Sequence, residues 1–309
     1  MSDPRPLGGR VALVAGATRG AGRAIAVELA RGGAFVYATG RSSTATGPSE
    51  LGRAETIEQT EDMLRAAGGD GRAVRVDHCE PDEVSWLVDT IRADHGRLDV
   101  LVNDMLGGDR YAQWEVPLWE HDLPGGLRML RMGIETHLIT AATAIPLMLA
   151  TGSGLVLEIT DGTSAVNAKR RPGVGFYYDL VKASVDRIVV GLAEELAGSE
   201  VAAIGITPGW LRSERMLEQF GVDEAHWRDA CAAEPGFAIS ESPAYVARGV
   251  AALAADPDAG RFSGQVLTAR RLADTYGVTD TDGSRPDCWA LVAAYGFDHG
   301  APADLGDYR

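Results

Sequence analysis

A chain of 309 residues, 45% hydrophobic and 24% charged, is long enough to bury a sizeable core and has the composition of an ordinary globular protein. Its formal net charge of −15 argues against non-specific nucleic-acid binding and against adhesion to an anionic membrane surface. The three cysteines, Cys79, Cys231 and Cys288, are scattered without metal-ligand spacing, so no metal site is expected and reduced thiols in a cytoplasm are the reading.

The N-terminal stretch MSDPRPLGGR carries no apolar targeting core, and nothing in it suggests export. Residues 11–15, VALVA, form a short apolar run that reads as a buried parallel strand. Gly16, Gly20 and Gly22 then punctuate a turn that opens into an apolar-periodic segment, 25–29, and a second strand follows at 34–39. Glycines at such a turn let the backbone approach a pyrophosphate, whose charge the free N–H groups of the helix N-terminus can meet. A turn-rich insert covers 41–52, and a helix over 55–67 stops at Gly68-Gly69. A third strand at 73–76, a helix at 81–95 with proline near its first position, and a fourth strand at 100–102 come next. Strand and helix therefore alternate four times by residue 103, which implies a parallel sheet with helices on both faces.

Residues 105–127 form a long loop rich in glycine and aromatics. A long helix over 127–150 follows. It includes most of the longest uncharged run, 138–154, where Pro146 and small polar residues favour a buried helix over a membrane span. A strand at 155–160, a helix at 175–196 and a strand at 201–206 continue the pattern. The segment 208–242, with Trp210, Phe220, Trp227 and Phe237, has the length of a lid or binding loop. A helix at 243–255 and a strand at 265–268 complete the sheet, and the tail from 269 holds one short helix, 286–295. No linker divides the chain.

Four motifs occur in order at strand ends: Gly16-xxx-Gly20-x-Gly22, Asn103, Tyr178-xxx-Lys182, and Pro208-Gly209. Together they resemble the short-chain dehydrogenase/reductase superfamily over about residues 8–270. The longer lid and tail resemble a bacterial subgroup related to a mammalian dehydrogenase/reductase branch. The resemblance implies an α/β fold, a doubly wound parallel Rossmann-type sheet in a single domain. The core would be 8–270, with a substrate lid at 208–242 and a C-terminal extension at 271–309.

Tyr178 and Lys182 lie four apart and share a helix face. A phenol with a pKa near ~10 is a poor acid–base group at neutral pH, and a neighbouring ammonium favours its phenolate. By the resemblance, Lys182 also holds the nicotinamide ribose. The third catalytic member in the family is a serine at the end of the fifth strand. Here Asp161 stands at the strand end, while Ser164 lies nearer the usual distance from Tyr178, with an insertion at 169–173 accounting for the difference. Strand-end position is set by backbone geometry and loop length drifts easily, so Asp161 is favoured, then Ser164, with Thr160 weaker. An ionised Asp161 would repel a developing oxyanion. Either burial keeps it protonated, or it pairs with a cationic group such as an iminium or amine. The family's proton-relay asparagine would fall near Gly133, and no asparagine occurs between Asp104 and Asp161.

The end of the second strand reads Thr39-Gly40-Arg41-Ser42 without an acid, and Arg19 lies in the glycine turn. Arginines there suit the 2′-phosphate of NADP(H), so this cofactor is expected over NAD(H). The turn residues Gly16, Thr18, Arg19, Gly20, Ala21 and Gly22 would hold the cofactor with Arg41 and Ser42. The resemblance adds Asp77 and His78 near the adenine, Asn103 beside the adenosine, and Pro208, Gly209, Leu211 and Ser213 in the nicotinamide loop. Trp114, Trp210, Trp227 and Phe237 suit either a bulky apolar pocket or lid packing, since both use the same residue types.

The expected function is NADP(H)-dependent hydride transfer to or from a small carbonyl or alcohol, with Tyr178 as general acid/base. One alternative is a C–N centre, an iminium or hemiaminal, as substrate. Another is a non-catalytic NADP(H)-binding protein. A small-molecule substrate is the expected partner, with no nucleic acid and no membrane. A cytoplasmic homodimer or homotetramer is also expected.

Overall fold

The computed structural model describes residues 5–106, 108–171, 173–297 and 305–309. Seven parallel strands form one sheet in the order β3-β2-β1-β4-β5-β6-β7. They are β1 (Val11–Ala15), β2 (Phe35–Gly40), β3 (Asp70–Arg75), β4 (Val100–Asn103), β5 (Gly154–Ile159), β6 (Val201–Thr207) and β7 (Val266–Thr268). β1 is buried at every position, as its unbroken apolar run requires, and each of its Val and Leu side chains contributes about 1.5–3 kcal/mol. Leu13 pairs with Tyr37 on one side and with Leu101 on the other. Strand order reverses between β1 and β4, so their carboxyl ends splay apart and open a crevice.

Helices cover both faces. On one face α1 (Gly20–Arg31), α2 (Ile57–Ala66) and α9 (Pro243–Ala255) build a core with Ile25, Leu29 and Val250. On the other, α3 (Pro81–His95), α5 (Thr136–Thr151) and α7 (Phe176–Glu195) pack Leu87, Ile91, Leu147 and Met148 against β1, β4 and β5. α3 starts on Pro81 and stops at Gly96 in the left-handed region (φ 67°), the ends its sequence expects.

Several boundaries move. β3 begins at Asp70, earlier than 73, because pairing with β2 carries this edge strand through polar residues. The helix expected from 127 starts at Leu123, where the Asp122 side chain caps Gly125 N–H and Pro124 fits the first turn. This is α4 (Leu123–Leu130), which runs through a π turn at Arg131–Glu135 into α5. The stretch Leu123–Thr151 is apolar and long enough to span a membrane, yet half of its most apolar portion is buried inside the protein. After β5 comes the short α6 (Ser164–Asn167), and after β6 α8 (Glu214–Phe220). The tail holds α10 (Ala269–Tyr276), capped by Thr268 and missed by the sequence reading, as well as the expected α11 (Cys288–Tyr295).

Candidate active site

The crevice above β1 and β4 is a cleft of about 920 Å³. Its floor is the glycine turn. Gly16 has φ +92°, and a Cβ there would sit 2.2 Å from the Asp104 carbonyl oxygen, so only glycine fits. A Cβ at Gly22 would meet the Gly16 carbonyl at 2.5 Å, so this residue serves close packing and does not line the cleft. Gly20, φ +59°, faces open space. No side chain of Arg19 caps α1, and the Gly20 N–H instead donates to the Glu214 carboxylate at 2.9 Å. An anionic oxygen already rests on the helix N-terminus where a phosphate would, which is direct support for an anion cradle. Thr18, Arg19 and Ala21 complete the floor.

Tyr178 and Lys182 project from α7 into the same cleft, with the lysine nitrogen 5.7 Å from the centre of the tyrosine ring. The Tyr178 hydroxyl donates to Asp161 Oδ2 at 3.0 Å. Arg171 donates to that same oxygen at 3.1 Å through Nη1 and to Asp179 Oδ1 at 3.0 Å through Nε. The Arg171 side chain is only 4% exposed. Burial works against its charge, but Asp161 and Asp179 outweigh that and hold the guanidinium above its usual pKa. Asp161, at the cleft wall, is thus an acceptor backed by a guanidinium.

Ser164 is not brought to the cleft. It opens α6 and bonds Asp186 on α7, because the glycine at 162 (φ +119°) turns the chain away after Asp161. Thr160 lines the cleft, but its hydroxyl donates to the Lys182 carbonyl at 2.9 Å and so braces α7. Tyr177 is buried against His121 and Gly126, off the catalytic face.

The cofactor candidates sort unevenly. Arg41, Ser42, Asp77, His78, Pro208, Gly209, Leu211 and Ser213 all line the cleft. The His78 ring is shared between Thr39 at 2.8 Å and Thr140 at 2.8 Å, and burial lowers its pKa to about 4. Asn103 lies beneath the cleft, donating to Glu158 at 2.8 Å, and Glu158 in turn meets His137 at 2.5 Å. Asn103 therefore orders the strand ends from below and does not line the cleft. Ser213 caps α8 by accepting from Met216 N–H. Asp104, packed under the glycine turn, is pushed up to about 6 by burial.

No acid ends β2, but the 41–52 insert folds back and places Glu50 on Arg41 at 2.8 Å. Residues nine apart in a loop have no fixed relation in sequence, so only the fold shows this contact.

The missing asparagine also has a structural reason. At Gly133, inside the π turn, a Cβ would lie 2.4 Å from Val181 Cγ1, so no side chain fits between this helix and α7.

The aromatic residues divide. Trp114 and Trp210 line the cleft, and Trp114 packs on Tyr178 at 5.3 Å. Trp227 and Phe237 are buried in a lid cluster of their own. α11 supplies a wall that the sequence reading missed, with Trp289, Val292 and Tyr295 facing the cleft. Trp289 Nε1 donates to the Pro208 carbonyl at 2.8 Å, which ties the tail to the loop after β6. Among the described residues no group of three or more His, Cys, Asp or Glu side chains is placed to hold a metal ion.

The family model for short chain dehydrogenases matches residues 10–223. The chain is 31% identical over 290 residues to the mouse (Mus musculus) dehydrogenase/reductase SDR family member 1, covering 90% of this chain and 85% of that protein. A solved structure of a putative NAD(P)-dependent gluconate 5-dehydrogenase from Beutenbergia cavernae, with bound NADP, is 26% identical. It covers 86% of this chain and 97% of that one, with a TM-score of 0.67. A 7α-hydroxysteroid dehydrogenase solved with NADH and a 7-oxo bile acid shares the fold at TM-score 0.68 and 23% identity, over 92% of this chain and 98% of that one.

Proposed function

The chain belongs to the short-chain dehydrogenase/reductase family, and from that premise we propose that it is an NADP(H)-dependent oxidoreductase moving a hydride to or from a small organic carbonyl or alcohol. The observation that carries the reading is that Tyr178, Lys182 and Asp161 face one cleft whose floor is the glycine turn. The residues fit the cofactor: the turn offers backbone N–H groups, already engaged by a carboxylate, and Arg19 and Arg41 line the same space. When bound, NADP(H) supplies the hydride at its nicotinamide. Gly16, Gly20 and Ala21 would hold the diphosphate, Lys182 the ribose and the 208–213 loop the nicotinamide, all of them drawn from the residues around the cleft.

Tyr178 is the general acid/base at the substrate oxygen. An ammonium near a phenol favours its phenolate, and the Lys182 nitrogen lies 5.7 Å from the centre of the Tyr178 ring. Asp161 receives the phenolic hydrogen bond in the resting site, and Arg171 balances its charge. Trp114, Trp210 and α11 give the cleft an apolar wall that suits an apolar substrate body. The test is loss of near-ultraviolet absorbance from NADPH across a panel of ketones and aldehydes. The wild type should turn over at least one of them, and Tyr178→Phe should not. Binding of NADPH with no turnover across the panel would leave a cofactor-binding protein instead.

A second reading is favoured by Asp161 itself. A carboxylate accepts hydrogen bonds and cannot donate as a serine does, so it suits a reacting group that carries a proton, such as a protonated imine or an amine. Adding imines to the panel separates the two.

A further inference from the structure

We propose that Glu50 sets the cofactor preference by occupying the anion site that Arg41 and Arg128 form, so that a 2′-phosphate must displace it. This rests on the reading of the cleft as a dinucleotide site. Glu50 lies on the insert after β2 and accepts from Arg41 at 2.8 Å and from Arg128 of α4 at 3.0 Å. Tyr111 donates to its other oxygen at 3.2 Å, and Arg110 bonds its backbone carbonyl. Glu50 is therefore held by four side chains from three separate segments.

Arg41 lines the cleft, its guanidinium is also 3.9 Å from Asp77, and its second nitrogen rests on Met132 at 3.3 Å. The side chains of Arg41, Glu50 and Arg128 are 20%, 27% and 28% exposed, open enough for an incoming anion to exchange with the carboxylate. Burial pushes the Glu50 carboxyl up, but the hydrogen bonds from Arg128 and Arg41 dominate and hold it at about 2. The charge is thus present at every working pH, and the competition does not titrate away.

A phosphate on Arg41 would lie beside this fixed carboxylate unless Glu50 swings out. Two like charges at such range oppose each other by an amount worth a tenfold change in binding or more at a partly exposed site. A ribose hydroxyl carries no charge and meets no such cost. Glu50 therefore narrows the NADP(H) advantage that Arg19 and Arg41 would otherwise give, and Arg128 is a second cation in reserve for the phosphate.

Equilibrium binding of NADPH and NADH, followed by nicotinamide fluorescence, tests this without any substrate. In E50Q, which keeps the shape and one acceptor oxygen but removes the charge, NADPH should bind about tenfold tighter while NADH changes less than about twofold. Adding R128M to E50Q should give back most of that gain, and salt should shrink it. An unchanged NADPH-to-NADH ratio in E50Q, or an equal gain for both, overturns the inference. If neither cofactor binds the wild type, the reading of the cleft fails instead, so the two failures are distinct.

Discussion

The Tyr178 hydroxyl donates to Asp161 Oδ2, and Arg171 holds that same oxygen. The proposed acid/base group is therefore engaged with an acceptor before substrate arrives. A ketone must draw the phenolic proton away from Asp161, whereas a protonated imine or an alcohol can donate to Asp161 directly.

Asp161→Ser separates these cases. It replaces a charged acceptor with a hydroxyl that can donate to a developing oxyanion. Ketone reduction should hold or rise, and imine turnover should fall by roughly tenfold to a hundredfold. Steady-state rates on matched ketone and imine pairs check this, and unchanged imine turnover would remove the C–N reading.

Arg171→Met should destabilise the fold by about 1–3 kcal/mol, because Asp179, 13% exposed, loses the buried guanidinium, while Asp161, 36% exposed, is screened by solvent. The denaturant midpoint reports it. A shift too small to measure would mean that the pair is solvated and that Arg171 does not position Asp161.

Glu214→Gln acts on the other anion site. Its carboxylate holds the Gly20 N–H and lies 3.5 Å from Arg23, so removing the charge should tighten NADPH and NADH equally, by a few-fold. Equal tightening distinguishes a diphosphate competitor from the selective effect expected at Glu50. Weaker binding of both would show that Glu214 helps to hold cofactor.

The end of the lid segment, packed against the 208–213 loop, carries a pH signature. Burial pushes the Glu241 carboxyl, which accepts from Gly209 N–H, up to about 8 from an ordinary 4.5. Between those values the folded chain keeps a proton that the unfolded chain has lost. Stability is therefore full at the acidic end and declines as pH rises toward 8. Glu241→Gln stays neutral, so its melting temperature should lack this decline and exceed that of the wild type at alkaline pH. Parallel slopes for the two proteins across the pH window from 4.5 to about 8 would refute the assignment.

The sheet was legible in sequence because parallel strands buried on both faces are short apolar runs bounded by glycine and proline. β1, α3 and α9 have the expected ends for that reason. Asp161 was legible as well, since a strand end fixes where the next side chain points. Arg171, Glu50 and Glu214 were not. Each sits in a loop or at a lid end, and its partner is chosen by how segments far apart in sequence fold together. Arg171 follows Lys169 and Arg170, and nothing in three adjacent cations marks the one that turns inward. α11 was expected as a helix, but its seat against Pro208 depends on one indole N–H reaching a carbonyl 81 residues away.

The central claim is that this cleft transfers a hydride with Tyr178 as acid/base. Reduced cofactor carrying deuterium at the transferable nicotinamide position tests it most directly, with product examined by mass spectrometry. The account predicts that deuterium appears on the substrate carbon with the wild type. With Tyr178→Phe the rate should fall at least about a hundredfold while cofactor affinity is retained. Product without deuterium, or undiminished transfer by Tyr178→Phe, would contradict it.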